Sequence, residues 1–276
     1  MGRREPPRTL LLLWMLCCVG CTKLGPIPAM SGLPIQPIER PGVEVQAGVV
    51  PGYYLSSSVQ EEPEPAGIAQ LALVLEPDEL LHVPGVFAGA RYAGENSAGA
   101  ALEPLIGYRT YVDEERRFSL AALGFFAYAT ADERAASFSA LRGGAELGVD
   151  ARLTPASRVV ELHVNGGATL TALDADGDYC LDGQGRYGVD CEDAPADRRR
   201  VAGSVEGLYP SAHVGVSVDF ARHWQSFFHG ARLALDVAGG TMPVVVGGEQ
   251  QSAQPYSTVG LSLTLGFGAR EGATPP

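Results

Sequence analysis

The most suggestive chemistry in this chain is a run of carboxylates at alternate positions. Within Asp174-Ala-Asp-Gly-Asp-Tyr-Cys-Leu-Asp182, the acidic residues are Asp174, Asp176, Asp178 and Asp182. In a loop, carboxylates with this spacing and a glycine for the turn can converge their oxygens on one calcium ion. The run has no bidentate glutamate at loop position twelve, and a solvated acidic loop is the alternative. A structural calcium is therefore the only cofactor that the sequence suggests.

A second set of candidate residues consists of charges that alternate with apolar side chains. They are Arg142, Glu146, Asp150, Arg152, Glu161, His163, Asp219, Arg232 and Asp236. Because successive side chains of a strand point to opposite faces, charges at every second position share one face. The two signs occur in similar numbers, which favours an ion-paired network that fills a barrel interior. A water-filled pore is the alternative.

No residue set predicts an enzyme. The chain has no Gly-x-Ser-x-Gly segment and no pair of histidines with metal-site spacing. His163 with Glu161 is the nearest approach to a lipid-modifying site, yet both fall on the predicted inner face. We therefore expect no catalytic residues, and a lipid-modifying barrel enzyme is only an alternative.

Composition limits the remaining classes. The 276 residues include 35 glycines and 20 prolines, which suits many strands and turns better than helices. The formal net charge is −12 at pH 7. Since no basic patch is available to neutralise phosphates, nucleic acid is excluded as a partner.

The N-terminal residues are typical of an export signal. Three arginines precede a short apolar run at 10–19, which is too short to span a bilayer. The run ends in Cys18-Val-Gly-Cys21, which resembles the lipobox of bacterial lipoproteins. That resemblance implies a signal peptide at 1–20 and acylation of Cys21, while ordinary signal-peptidase cleavage is the alternative.

The rest of the chain divides into three predicted regions. A proline-rich, lipidated tether at 21–42 leads to a β domain at 43–270, and residues 271–276 are expected to be a disordered tail. In an exported chain, Cys180 and Cys191 are the remaining pair and predict a disulfide.

The β domain contains ten strand-like runs. They fall at 43–58, 68–76, 84–93, 100–112, 117–130, 136–153, 157–173, 202–221, 227–240 and 255–269. The two longest connections, 174–201 and 240–254, fall on one predicted rim, and tight turns fall on the other. Short turns at one end and long loops at the other are typical of outer-membrane barrels. Aromatic residues near both ends of the runs indicate the two interfacial belts of such a barrel. The long-loop rim includes Tyr92, Tyr128, Tyr209 and Tyr256, and the short-turn rim includes Tyr108, Phe118 and Phe220.

Through Pro104-Leu-Ile-Gly-Tyr-Arg-Thr-Tyr111 and Asp219-Phe-Ala-Arg-His223, the chain resembles small outer-membrane β-barrel proteins of the bacterial envelope. The resemblance implies an all-β, antiparallel up-and-down transmembrane barrel of about ten strands, with eight as the alternative. We expect it in a Gram-negative outer membrane, in contact with lipid and with a periplasmic N-terminus. A structural or surface-interaction role follows, in which the two long loops are exposed. A soluble periplasmic lipoprotein of lipocalin-like or sandwich form that binds an apolar ligand, and a small pore, are the alternatives.

Overall fold

A computed structural model describes residues 43–50, 53–55, 68–75, 84–95, 99–132, 136–155, 160–179, 201–220, 228–246 and 249–267. The regular elements in these ranges are strands: β1 Val43–Val50, β2 Tyr53–Leu55, β3 Ile68–Leu75, β4 Val86–Glu95, β5 Gly99–Tyr111, β6 Phe118–Asp132, β7 Ala136–Arg152, β8 Val160–Tyr179, β9 Val201–Phe220, β10 Phe228–Val246 and β11 Glu249–Phe267. No helix in the described part of the chain is long and apolar enough to cross a membrane.

The strands form one closed antiparallel wall. Each strand from β3 to β11 pairs with the next in sequence, and β1 closes the wall by pairing with both β3 and β11. The short β2 also pairs with β11, beyond the end of β1, so that β1 and β2 occupy one position in the wall. The predicted all-β barrel of ten strands is confirmed.

The registers of the ladders set the tilt of the strands. From Ala47, the chain of cross-strand partners through β3 to β8 reaches Glu206 on β9. In the other direction, through β11 and β10, it reaches Val218 on the same strand. The closed wall is therefore staggered by the twelve residues that separate positions 206 and 218. Closure with a stagger requires tilted strands, typically at about 35–45° to the barrel axis.

The wall is much taller on one side than on the other. Strands β1 and β3 have 8 residues each, whereas β8 and β9 have 20 and β10 and β11 have 19. A tilted strand needs about 9–11 residues to cross the apolar core of a membrane. Strands β8 to β11 therefore continue well beyond it.

The length of these strands shows that the predicted bounds of both long loops were wrong. Residues 174–179 belong to β8, β10 continues to Val246, and β11 begins at Glu249. Asp, Gly and Pro disfavour strands in isolation, but the ladders to β7 and β9 hold residues 174–179 extended. The remaining parts of the predicted loops, 180–200 and 247–248, lie outside the described residues.

Apolar side chains fill one sector of the interior, between β3 and β6. The cluster comprises Ala72, Val74, Phe87, Leu105, Leu123 and Phe125. The neighbouring strand makes room for Phe125 at Gly144, where an added Cβ would lie 2.7 Å from the ring and 2.2 Å from the Leu170 carbonyl oxygen. Most buried charged residues lie on β7 to β10, and the remaining ones, Glu44, Arg91, Glu103 and Arg109, lie on β1, β4 and β5.

Candidate functional site

One group of buried charges, the upper cluster, is built around Glu103 of β5. Arg91 of β4 donates a hydrogen bond to Oε1 of Glu103, and Arg142 of β7 donates one to Oε2 at 2.6 Å. All three side chains are at most 2% exposed. Ala127 of β6 lies directly opposite Arg142, and its small side chain lets the guanidinium extend towards β5. Two arginines on one carboxylate provide the charge-assisted bonds that a buried anion needs.

A second group, the lower cluster, lies towards the other end of the barrel. Arg232 of β10 makes a two-pronged contact with Asp219 of β9: Nε donates to Oδ1 at 2.5 Å and Nη2 donates to Oδ2 at 2.9 Å. Its Nη1 lies 3.6 Å from Oδ2 of Asp150 on β7. A fork-to-fork contact of this kind is the strongest geometry for an arginine–carboxylate pair.

His163 of β8 lies at the centre of the lower cluster and is fully buried. Its Nδ1 is 2.7 Å from Oδ1 of Asp150. Its Nε2 is 3.7 Å from Oε2 of Glu161 and 3.7 Å from Oδ2 of Asp219. The imidazole therefore bridges carboxylates from β7, β8 and β9.

Arg152 connects the lower cluster to the turn between β5 and β6. Its Nη1 is 3.8 Å from Oε2 of Glu161, and its Nη2 donates a hydrogen bond to the Glu115 carbonyl oxygen at 2.8 Å. In the same turn, Asp113 Oδ1 accepts hydrogen bonds from the backbone amides of Arg117 and Phe118, both at 2.8 Å. The bond from Phe118 is the main reason that the pKa of Asp113 lies below its ordinary value.

Glu146 and Asp236 complete the predicted network but lie between the two clusters. Glu146 is buried and makes no hydrogen bond or ion pair with a residue of the described ranges. Asp236 packs over Gly215, where an added Cβ would come within 2.0 Å of its Oδ1. The nine predicted charges thus share the barrel interior, and seven of them join the two clusters.

Four interior charges escaped the sequence analysis: Glu44, Arg91, Glu103 and Arg109, all buried. Arg91, Glu103 and Arg109 have apolar or glycine neighbours at the alternate positions, so that no polar face stands out, and Glu44 lies on the short strand β1. The alternation of Glu103 with the outward Leu102 and Pro104 was the available signal.

The outer face of the wall has the opposite polarity. On β7, Leu147 is 65% exposed while Glu146 beside it is 5% exposed. On β11, Leu261 and Leu263 are exposed while Ser262 is buried. A barrel whose outer face is apolar and whose interior is charged is suited to a lipid bilayer. The described strands form a transmembrane β-barrel of the outer-membrane type.

The predicted aromatic belts are present in part. Tyr108, Phe118 and Phe220 are exposed on the outer face near one end of the wall, and Tyr92 and Tyr128 are exposed nearer the other. Two predicted members of the belt are corrected, because Tyr209 and Tyr256 point into the barrel and are buried. Each of the two tyrosines is an even number of residues away from the inward polar residues of its own strand, so that its side chain points to the same face. The register of the strand therefore overrides the preference of tyrosine for a membrane interface.

Comparisons with known proteins find solved structures of low sequence identity and low TM-score. No family model matches the chain, and no curated protein matches its sequence. Neisserial surface protein A aligns over 82% of this chain and 97% of its own at 13% identity, with a TM-score of 0.31. The outer-membrane protease OmpT of Escherichia coli aligns over 83% and 94% at 8% identity, with a TM-score of 0.40. Ail, the attachment invasion locus protein of Yersinia pestis, aligns over 83% and 99% at 10% identity, with a TM-score of 0.31. The membrane assignment therefore rests on the polarity of the wall.

Three of the four carboxylates predicted to bind calcium lie on a strand and not in a loop. Asp174, Asp176 and Asp178 lie on the extended strand β8, with the first two exposed on its outer face. Alternate residues of a strand are about 6.5 Å apart and parallel, so their carboxylates do not converge. The described residues contain no group of three or more His, Cys, Asp or Glu that could hold a metal ion. Asp182, the Cys180–Cys191 pair and Cys21 lie outside the described residues.

Proposed function

We propose that this protein is a closed barrel of a Gram-negative outer membrane, with a structural or surface-interaction role. In this proposal the end of the barrel at which β8 to β11 extend beyond the membrane faces the outside of the cell. Acylation of Cys21 would anchor the N-terminus on the periplasmic side. The main support is the ion-paired interior together with strands β8 to β11, which are longer than is needed to cross the apolar core of a membrane.

The interior favours a closed barrel over a pore. Arg91, Glu103 and Arg142 cross the lumen at one level, and Asp219 and Arg232 pair at another, with every one of them buried. Small barrels fill their interiors with side chains, and buried charges need partners. An ion moving through the lumen would have to separate these pairs.

The orientation follows from the two ends of the wall. The turn from Val112 to Arg117 between β5 and β6 is tight, as are periplasmic turns of outer-membrane barrels. The opposite end carries the long extensions of β8 to β11. We therefore place residues 112–117 in the periplasm and the upper parts of β8 and β9 outside the cell.

Planar-bilayer recordings of the purified full chain test the closed lumen. We expect no steady single-channel conductance in the wild type. The positive control is Arg91→Ala combined with Arg142→Ala. It removes both cations of the upper cluster and should produce channel openings in the current recordings. A stable conductance in the wild type would refute the closed barrel and favour the pore.

Surface labelling tests the orientation. Intact cells that produce Ser204→Cys should react with a membrane-impermeant maleimide, whereas cells that produce Glu114→Cys should react only after the outer membrane is permeabilised. Labelling of Glu114→Cys alone in intact cells would reverse the assignment. Mass spectrometry of the mature N-terminus would show a lipid on Cys21, and an unmodified N-terminus would remove the anchor from the proposal.

A further inference from the structure

Both ring nitrogens of His163 face carboxylate oxygens. Nδ1 lies 2.7 Å from Oδ1 of Asp150, and Nε2 lies 3.7 Å from Oε2 of Glu161 and 3.7 Å from Oδ2 of Asp219. A carboxylate oxygen accepts hydrogen bonds, whereas a neutral imidazole has one N–H and one nitrogen with a lone pair. A neutral ring would therefore turn a lone pair towards ionised oxygens on one of its two sides. Only the imidazolium, which has a hydrogen on each nitrogen, complements both sides.

The other described charges on and around the lower cluster are carboxylates and guanidinium groups. They are Glu44 of β1, Arg109 of β5, Asp150 and Arg152 of β7, Glu161 of β8, Asp219 of β9 and Arg232 of β10. Glu44 acts electrostatically on Arg232, and Arg109 acts on Asp150. Groups of these two kinds ordinarily keep their charge near neutral pH, whereas an imidazole gains or loses its proton there. A change of pH near neutrality therefore acts on this part of the interior through His163.

The upper cluster differs because it contains no imidazole. It consists of the Glu103 carboxylate and the guanidinium groups of Arg91 and Arg142. A second histidine of the interior, His213, packs over Gly167, where an added Cβ would lie 2.5 Å from its Cε1. Within the described strands, His213 makes no ion pair. Of these two histidines, only His163 couples a proton to the ion pairs of the interior.

We propose that His163 is a proton switch for the end of the barrel that holds the lower cluster. As the imidazolium, it joins the carboxylates of β7, β8 and β9. When Nε2 loses its proton to the solvent, the hydrogen bond from Nδ1 to Asp150 remains, and a lone pair then faces Glu161 and Asp219. The stabilisation is therefore present at lower pH and is lost as the pH rises through the titration of the ring. This regulation is additional to the closed-barrel role proposed above, since the upper cluster closes the lumen in both states.

Nitrogen NMR of the full chain in lipid nanodiscs, with isotope-labelled histidine, tests the protonation of the ring. The resonances of His163 are those that disappear in His163→Gln. We expect two protonated ring nitrogens at about pH 6 and one at about pH 9, with the change at a higher pH than for His213. A ring that titrates at the same pH as His213 or lower, or that keeps one protonation state throughout, would overturn the proposal.

Amide hydrogen exchange in the same nanodiscs locates the effect of the switch. His163 and Ser217 are direct partners in the lower part of the ladder between β8 and β9, whereas Thr169 and Thr171 lie higher on β8. After correction for the chemical exchange rate, protection of the two lower amides should fall about tenfold between about pH 6 and about pH 9. Protection of the two higher amides should change less than about twofold, because local openings are independent of one another in separate parts of a fold.

Two matched variants separate this switch from other titrating groups. His163→Gln removes the imidazole, so that protection of the Ser217 amide should be low and equal at both pH values. His213→Gln removes the other inward imidazole and should retain the wild-type dependence on pH. Groups that titrate elsewhere in the chain are present in both variants and cancel in the comparison. If His163→Gln does not fold, the exchange of the wild type and of His213→Gln decides the question.

Equal protection of the lower amides at both pH values, or an equal loss at Thr169, would overturn the proposal. A pH dependence that survives in His163→Gln, or disappears in His213→Gln, would also overturn it. None of these outcomes alters the surface labelling or the conductance of the wild type. A stable conductance would in turn refute the closed lumen without changing the titration of His163, so that failure of the switch is distinguishable from failure of the closed barrel.

Discussion

Replacing Arg232 by methionine tests whether the buried ion pairs hold the barrel together. The change leaves Asp219, whose side chain is 7% exposed, without its hydrogen bonds of 2.5 and 2.9 Å. It also removes the cation 3.6 Å from Asp150. A buried carboxylate that loses its partner typically costs about 3–5 kcal/mol of the free energy of unfolding. We expect a loss of that size for Arg232→Met.

The double variant Arg232→Met, Asp219→Leu separates the pair from the single charge. Because it leaves no lone carboxylate at position 219, it should recover most of the loss, and the coupling between the two changes should reach several kcal/mol. Arg117→Met is the matched surface control: its guanidinium lies 2.5 Å from Glu115, but the two side chains are 53% and 66% exposed. It should cost at most about 1 kcal/mol.

Urea unfolding in lipid vesicles, followed by the shift in gel migration between folded and unfolded barrel, gives all these free energies. Equal losses for Arg232→Met and Arg117→Met would refute the reasoning. So would a double variant that is less stable than Arg232→Met, because the lone carboxylate would then not be the source of the cost.

Two further predictions concern the turn and a glycine pair. The lowered pKa of Asp113 means that its carboxylate stabilises the fold above its ordinary value of 3.8 and that this contribution is lost as the pH falls through the lower folded value. Asp113→Ala should therefore flatten the acid side of the stability–pH profile. An unchanged profile would contradict a stabilising role for the hydrogen bonds that the Asp113 carboxylate accepts. Gly144→Ala forces a Cβ to within 2.2 Å of the Leu170 carbonyl oxygen and should cost about 1–3 kcal/mol in urea unfolding. Gly143→Ala points outward, with its nearest atom at 3.5 Å, and should be neutral; equal losses in the two variants would contradict the assigned faces.

The period-two pattern of the sequence predicted strands with one apolar and one charged face, and the loop lengths and the aromatic strand ends were needed to favour a barrel with the charged face inside. In β7 and β8, charges such as Glu146 and His163 alternate with apolar residues over more than a dozen positions, so that the face is unambiguous. The structure confirms that these charges point inward. The physical reason is that the outer face of a membrane barrel contacts lipid and must be apolar.

The strand ends and the ion pairs could not be predicted in the same way. Asp174, Asp176 and Asp178 resemble a loop locally, and they are extended only because β7 and β9 pair with them. The contact between Glu103 and Arg142 joins residues 39 positions apart. It depends on the stagger of the closed wall, which is a property of all the ladders together and has no local signature.

The central claim is that the apolar outer face of the wall touches lipid. A fluorophore attached to Leu263→Cys of β11 or Leu147→Cys of β7, in vesicles that contain brominated acyl chains, measures this contact directly. We predict strong quenching at both positions and little at Asp176→Cys, which lies on the part of β8 that extends beyond the membrane. Equal, weak quenching at all three positions would contradict a transmembrane barrel and favour a soluble β domain.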